Sequence, residues 1–169
     1  LEAINNAQKE ILVKVYLLSD KQIINALKLA KQRGISVKVM LEKYPFGGGG
    51  INNKTEQELV SFGIDFKWAN SNYALTHEKT IIIDESIAFI LNQNLTTAAF
   101  SKNREFNVVD KNKDDVLQIR NIFVSDWQRN NYIFSNSNLI QSPENSRAAL
   151  KALIENAKHS IDIEMEVIQ

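Results

Sequence analysis

The segment THEKTIIIDES, residues 76–86, carries one of the two histidines of the chain, His77, with Lys79 two residues later. The three isoleucines that follow predict a strand, in which successive side chains point to opposite faces. His77 and Lys79 then share one face, whereas Asp84 points away from them. A nucleophilic imidazole beside an ammonium group is suited to the attack on a phosphate ester and to the binding of its oxygens.

The strand that follows, SIAFILN, adds two amides to this pair. If the two strands form a hairpin with a two-residue turn, His77 lies opposite Asn94 and Lys79 lies opposite Asn92. Directly opposed residues have Cβ atoms about 5 Å apart. The hairpin therefore predicts a polar cluster on one face.

After a small-residue turn, LTTAAFSKN, a third strand, REFNVVD, can bring Glu105 to the same cluster. Lys79 and the two amides would hold the non-bridging oxygens of a phosphate. Glu105 could take the proton on Nδ1 of His77, which leaves Nε2 as the nucleophile. Asp84 is interpreted as a turn former that hydrogen-bonds its own backbone.

The elements before this cluster alternate between strands and helices. ILVKVYLL and SVKVMLE have the β-branched density of buried strands, and a helix with Ser19 or Asp20 as its N-cap lies between them and ends at Gly34. A further helix over about 53–62 and the strand IDFKW continue the alternation, and a long helix follows over about 114–130. This order predicts an α/β fold: a mixed, largely parallel β-sheet with helices on both faces.

The last part of the sequence repeats the first. PENSRAALKALIENAK predicts a helix and SIDIEMEVI a strand, and a shift of about 150 residues aligns them with the first helix and strand. The identical positions in this register are Ile4 and Ile154, Asn6 and Asn156, Ala7 and Ala157, and Ile11 and Ile161. We expect residues 1–135 to form one repeat, and 136–169 to form a connector and the start of a second, truncated repeat.

Composition limits the possible functions. Among 169 residues, twenty Lys and Arg balance twenty Asp and Glu, so no overall attraction to nucleic acid or anionic lipid is predicted. The chain has no cysteine, which excludes disulfides and thiolate chemistry. Its apolar runs are far shorter than the roughly 20 residues of a membrane-spanning helix. The chain starts at Leu1, so we expect the natural N-terminus to have been removed, and nothing in it indicates a location.

The motif His77-x-Lys79-x4-Asp84, followed by Asn94 and by Glu105 within NREFNVV, resembles the catalytic motif of the phospholipase D superfamily. That superfamily includes phospholipases, cardiolipin and phosphatidylserine synthases, and phosphodiesterase nucleases. The resemblance extends over nearly the whole chain, because the elements before the motif and the start of a second repeat also match.

The resemblance implies a mechanism and its residues. His77 would attack phosphorus to form a covalent phosphohistidine, Lys79 and Asn94 would bind phosphate oxygens, and Glu105 would orient the histidine. No metal and no cofactor are implied. The family usually has Gly-Ser where this chain has Leu91 and Asn92, which motivates the alternative of a non-catalytic, phosphate-binding or structural half.

Catalysis in this family needs a second histidine as the general acid. His159 lacks a lysine two residues later, and we interpret it as a surface residue. The second histidine would come from a second repeat, about 150 residues after His77 and beyond Gln169, or from the partner in a homodimer, as in a single-motif nuclease. The expected substrate is a phospholipid or nucleic-acid phosphodiester.

Overall fold

The computed structural model describes residues 1–47, 50–133 and 138–165. These residues divide into two compact units, 1–132 and 133–169. The elements of the first unit are α1 (Glu2–Asn6), β1 (Glu10–Val15), α2 (Lys21–Gln32), β2 (Ser36–Leu41), α3 (Ile51–Ser61), β3 (Asp65–Trp68), β4 (Lys79–Ile83), β5 (Ile87–Leu91), α4 (Thr97–Ser101), β6 (Asn107–Asp110) and α5 (Lys113–Gln128). The second unit contains α6 (Ser146–Glu155).

The described strands form one six-stranded sheet with the order β3-β2-β1-β4-β5-β6. The pairs of β1 with β2 and of β2 with β3 are parallel. The pairs of β1 with β4, β4 with β5, and β5 with β6 are antiparallel. Four of these six strands thus run in one direction and two in the other, so the predicted mixed α/β sheet is confirmed, although antiparallel pairs outnumber parallel ones.

Alternation along the strands divides the core between the two faces of the sheet. Val13, Val39 and Ile81 are buried on the face that α1, α2 and α3 cover. Leu12 and Ile82 pair on the opposite face, where α5 contacts β1, β4 and β5. A central strand buried on both sides must be apolar at nearly every position, which is the pattern of ILVKV and KTIII.

Side-chain caps set the starts of the two longest helices. The carboxylate of Asp20 accepts hydrogen bonds from the amides of Gln22 and Ile23 at the start of α2. Asn112 caps α5 in the same way, through the amides of Asp114 and Asp115. Such caps satisfy amides that have no partner inside the helix. Asp20 was one of the two predicted caps.

Two local predictions need correction. The segment LTTAAFSKN, predicted as a turn, contains the short helix α4, which the Thr96 side chain caps through the amide of Ala99. Residues 160–165 of the predicted last strand form no strand, and the end of that prediction, 166–168, lies outside the described residues. A strand needs a neighbour to pair with its backbone groups, and no described strand pairs with this segment.

The second unit is a helix with an open apolar face. Leu150, Leu153 and Ile154 of α6 are all about half or more exposed. The boundary predicted between residues 135 and 136 falls among residues 134–137, which lie outside the described residues. A second repeat therefore stays a prediction.

Candidate active site

The polar residues of the predicted cluster collect at one end of the sheet. Lys79, the first residue of β4, pairs with Val15, the last residue of β1. β1 has β2 on one side and β4 on the other, so the order of the strands reverses here. In open α/β sheets, ligands bind in the crevice at such a switch point, outside the carboxyl ends of the strands.

His77 and Lys79 are in direct contact. Lys79 Nζ lies 3.1 Å from both Nδ1 and Nε2 of His77. A charged ammonium group can only donate a hydrogen bond, so the contact suits a neutral imidazole that offers a nitrogen lone pair. His77 itself is exposed, and a ligand can reach it.

Lys79 is buried, with 6% of its surface exposed. Burial lowers the pKa of Lys79 to about 8, against the opposing effect of the Glu105 carboxylate. The ammonium form therefore predominates at neutral pH but is lost under mildly alkaline conditions. A cation that has already lost much of its water can bind a phosphate oxygen at little further desolvation cost.

Asn94 is held beside the end of β1 by its neighbour. The Leu95 amide donates to the carbonyl of Leu17 at 3.0 Å, and Leu18 and Leu95 form a short parallel bridge. Asn94 Oδ1 is buried and accepts no hydrogen bond from the described residues. A buried amide oxygen without a donor is costly, so Asn94 is a candidate for a partner outside the described residues.

The predicted hairpin register is wrong by one residue. Ile83 pairs with Ile87, and the turn spans Asp84 to Ser86 instead of two residues. Continuing this register places Lys79 opposite Leu91. A one-residue slip reverses the faces of a strand, so Asn92 does not oppose Lys79. The side chain of Asn92 is exposed, and its backbone amide donates a hydrogen bond to Asn107 Oδ1 at 3.1 Å.

Glu105 lies just before β6, where it acts electrostatically on Lys79. Its carboxylate accepts a hydrogen bond from Asn103 Nδ2 at 3.0 Å. Of the predicted cluster, His77 is thus in contact with Lys79, and Glu105 is close enough to influence the charge of Lys79.

Asp84 lies at the other end of β4, away from the cluster. Its carboxylate accepts hydrogen bonds from the amides of Gln8, Lys9 and Glu10 at 2.8, 2.7 and 3.0 Å. The sequence predicted a bond to the backbone of its own turn, but the carboxylate instead ties the β4–β5 turn to the start of β1. Partial burial acts in the opposite direction, yet these three donors hold the pKa of Asp84 below its ordinary value.

Three polar residues at the site were not predicted. Asn52 Nδ2 donates to the carbonyls of Tyr16 and Glu42, at 2.8 Å each. The buried Glu42 carboxylate accepts from the amides of Tyr44 and Thr76, at 3.0 and 2.7 Å. These four hydrogen bonds hold together the segment after β1, the segment after β2 and the segment before β4. Tyr16 lies near the carboxyl end of the predicted strand ILVKVYLL and Glu42 ends the predicted strand SVKVMLE, and that position was the available signal.

A buried ion cluster lies on the reverse face of the sheet. Lys14, 1% exposed, contacts Glu78 at 2.6 Å and Asp126 at 2.7 Å. Burial alone would lower the pKa of Lys14, but the two carboxylates hold it above its ordinary value. This ion cluster fixes Glu78, which lies between His77 and Lys79 in the sequence. A lysine inside an apolar strand is a sign of such pairing, although the sequence does not reveal the partners.

The family described as "Cardiolipin synthase, PLD-like domain" matches residues 1–127. The chain belongs to the phospholipase D superfamily. The resemblance based on the histidine motif is therefore confirmed, and this chain contains a phospholipase D-like domain.

Relatives of this phospholipase D-like domain include cardiolipin synthases. One from Clostridium perfringens strain 13 is 32% identical over 108 residues, which are 62% of this chain and 22% of the relative. Another from Alkalihalophilus pseudofirmus is 29% identical over 133 residues, 77% of this chain and 26% of the relative. The chain thus spans about a quarter of the length of these curated relatives.

Solved structures share the fold of the phospholipase D-like domain. The phospholipase D family member Nuc from Salmonella typhimurium matches with a TM-score of 0.70 and 27% identity, over 79% of this chain and 88% of that chain. A polyphosphate kinase from Porphyromonas gingivalis has the same TM-score at 23% identity, over 90% of this chain and 27% of that chain, and shows the fold alone.

No described helix is long and apolar enough to cross a membrane.

Proposed function

We propose that this domain cleaves or transfers phosphodiesters through a covalent phosphohistidine at His77. The observation that supports this most directly is the 3.1 Å contact between His77 and the buried Lys79 at the switch point of the sheet. Family membership adds that the histidine motif belongs to a phospholipase D-like domain.

In the first step, His77 Nε2 attacks phosphorus, an N–P bond forms and the P–O bond to the leaving alcohol breaks. Lys79 binds a non-bridging oxygen, and Asn94 binds another through its amide, whose oxygen and nitrogen exchange places by a half turn of the side chain. Glu105 orients the imidazole. Asn92, although exposed, stays a predicted phosphate ligand.

The leaving alcohol takes its proton from a second histidine, which acts as the general acid. In the second step, that histidine accepts a proton from water or an alcohol, whose oxygen attacks phosphorus, so that an O–P bond forms and the N–P bond to His77 breaks. We propose that the second histidine comes from a second repeat of the same protein or from a second copy of this chain. No metal or cofactor enters these steps.

The relatives support the proposed substrate classes. Cardiolipin synthases among them favour a phospholipid diester and transfer to an alcohol. The similarity to Nuc supports the alternative of a single-motif homodimer, since this chain matches Nuc over 88% of that chain. The neutral composition adds no support for a nucleic-acid grip.

The first test is hydrolysis of bis(p-nitrophenyl) phosphate by the protein and by His77→Ala. We expect a loss of about a thousandfold or more, since the nucleophile is removed. The matched control is His159→Ala, because His159 is exposed and lies in the other unit. Equal loss in both variants, or none in His77→Ala, would overturn the assignment. Sedimentation at the assay concentration distinguishes a dimer from a monomer.

A non-catalytic half is the second candidate, and Leu91 and Asn92 at the Gly-Ser positions motivate it. If the protein binds inorganic phosphate in a calorimetric titration but does not turn over, this candidate is supported. The double variant Leu91→Gly/Asn92→Ser should then gain turnover if these two side chains are what blocks it.

A further inference from the structure

Tyr16 lies beside both reactive groups of the candidate site, although neither the histidine motif nor the proposed mechanism includes it. It follows directly after β1 and is 8% exposed. The centroid of its ring is 4.6 Å from that of the His77 imidazole, and the two planes meet at 64°. This edge-to-face geometry is favourable for two aromatic rings and limits the rotation of the imidazole.

The same ring contacts the lysine. Lys79 Nζ is 5.6 Å from the centroid of Tyr16, within the range of a cation–π interaction. The charged or titratable groups that act on Lys79 are His77, in contact, and Glu105, through its charge. Tyr16 contributes a π-face to this set.

Hydrogen bonds fix both the side chain and the backbone of Tyr16. Its hydroxyl oxygen accepts a hydrogen bond from the amide of Phe46, in the segment after β2. Its carbonyl accepts from Asn52 Nδ2, and the Leu18 amide donates to Asn52 Oδ1 at 3.1 Å. Asn52 is 1% exposed, so this anchor is itself fully buried. The ring cannot leave His77 without breaking the hydrogen bond between its hydroxyl and the Phe46 amide.

We propose that Tyr16 is a positioning residue for the pair of His77 and Lys79. Its ring orients the imidazole and favours the ammonium form of Lys79, while its hydroxyl fixes the segment after β2 at the edge of the site. The inference deepens the proposed function and rests on it for its effect on turnover, but its effect on the charge of Lys79 is independent of any reaction.

The physical consequence concerns the protonation of Lys79. Burial lowers its pKa to about 8, so the group is close to losing its charge near neutral pH. The π-face of Tyr16 interacts with the cation and not with the neutral amine, so it keeps the pKa higher than burial alone would. Replacing the ring by an aliphatic side chain keeps Lys79 buried but removes the cation–π interaction, so the pKa of Lys79 should fall further.

The test compares Tyr16→Leu with Tyr16→Phe, which retains the ring and lacks only the hydroxyl. The charge of Lys79 is followed by NMR titration of its side-chain carbon signal in lysine-labelled protein, assigned with Lys79→Met. In Tyr16→Leu we expect the midpoint to fall by about half a pH unit or more, and in Tyr16→Phe to stay at the wild-type value. The matched control Tyr44→Leu, at an exposed tyrosine, should leave the midpoint unchanged.

Turnover supplies the second readout. The alkaline limb of kcat/KM should move to lower pH in Tyr16→Leu and remain in place in Tyr16→Phe, which a general loss of folding would not produce. An unchanged Lys79 midpoint in Tyr16→Leu overturns the proposal, whatever the activity. If the Lys79 midpoint falls in Tyr16→Leu but the wild-type protein shows no turnover, the proposal for Tyr16 stands and the proposed function is refuted. If Tyr16→Leu does not fold, Tyr16→Met fills the space without a π-face.

Discussion

At the scale of single residues, Lys79 shows the tension between stability and function. Its ammonium group is buried beside His77, where the chain gives up hydration that would stabilise the charge. Burial lowers the pKa of Lys79, and the opposite charge of Glu105 only partly offsets this effect. A buried charge of this kind is typical of a functional site, because its lost hydration makes it a cost to the folded domain.

Replacement of Lys79 by Met should abolish turnover and stabilise the domain. The pKa of about 8 lies below the ordinary 10.5, so between these values the unfolded chain binds more protons than the folded one. Wild-type stability therefore rises across that window, and the advantage of Lys79→Met, about 1 to 3 kcal/mol at pH 7, should shrink towards pH 10. Urea unfolding at pH 7 and pH 10 measures it.

The control for this prediction is Lys43→Met, since Lys43 is exposed. Its stability difference from wild type should not depend on pH over the same range. A difference for Lys79→Met that stays constant between pH 7 and pH 10 would contradict the assigned pKa.

At the scale of elements, one turn controls the geometry of the site. Asp84 and Glu85 both have positive φ, at 54° and 55°, and Ser86 completes a three-residue turn. Left-handed backbone is unfavourable for residues with a Cβ atom, and the three amide bonds to Asp84 compensate for this cost. The turn thus sets the β4–β5 register that aligns Lys79 with Leu91 and leaves Asn92 outside.

Asp84→Asn should destabilise the domain by about 2 kcal/mol at pH 7, because one amide oxygen cannot accept the three hydrogen bonds of a carboxylate. The pKa of Asp84 is lowered, so its stabilising effect is present above the ordinary value of 3.8 and is lost as pH falls through the folded-state pKa. Urea unfolding should show the difference from wild type at pH 7 and a smaller one near pH 3. Asp65→Asn, at an exposed carboxylate, should show neither effect.

At the scale of the whole molecule, the two units differ in how they bury apolar surface. The continuous core is built from α1, α2, α3 and the sheet within residues 1–132. In the second unit, no described residue of α6 is buried. A helix of ten residues without packing is marginal in water, so the two units should differ greatly in stability.

A protein that ends at Tyr132 should therefore retain the far-UV spectrum of the sheet domain and unfold cooperatively, with a midpoint close to that of the 169-residue chain. A peptide of residues 138–165 alone should be largely unfolded. Thermal melts followed by circular dichroism test both expectations. Loss of the cooperative transition on truncation would show that the first unit depends on the second.

Local patterns in the sequence were sufficient for the elements and for the family. Apolar periodicity and capping residues such as Asp20 are short-range features, so the strands, the helices and the mixed α/β class could be predicted. The spacing of His77, Lys79 and Asp84 is equally local, and it was enough to identify the phospholipase D superfamily.

Only the tertiary structure decided how these elements meet. Along the chain, the partners of Asp84 are 74 to 76 residues away, and Asp126 is 112 residues from Lys14. No pattern in the sequence specifies contacts between residues so far apart along the chain. The hairpin register depended on the backbone of a turn without glycine, and the place of Tyr16 depended on bonds to Phe46 and Asn52. The residue types predicted the chemistry of the site, whereas long-range pairing determined which side chains surround Lys79 and therefore its charge.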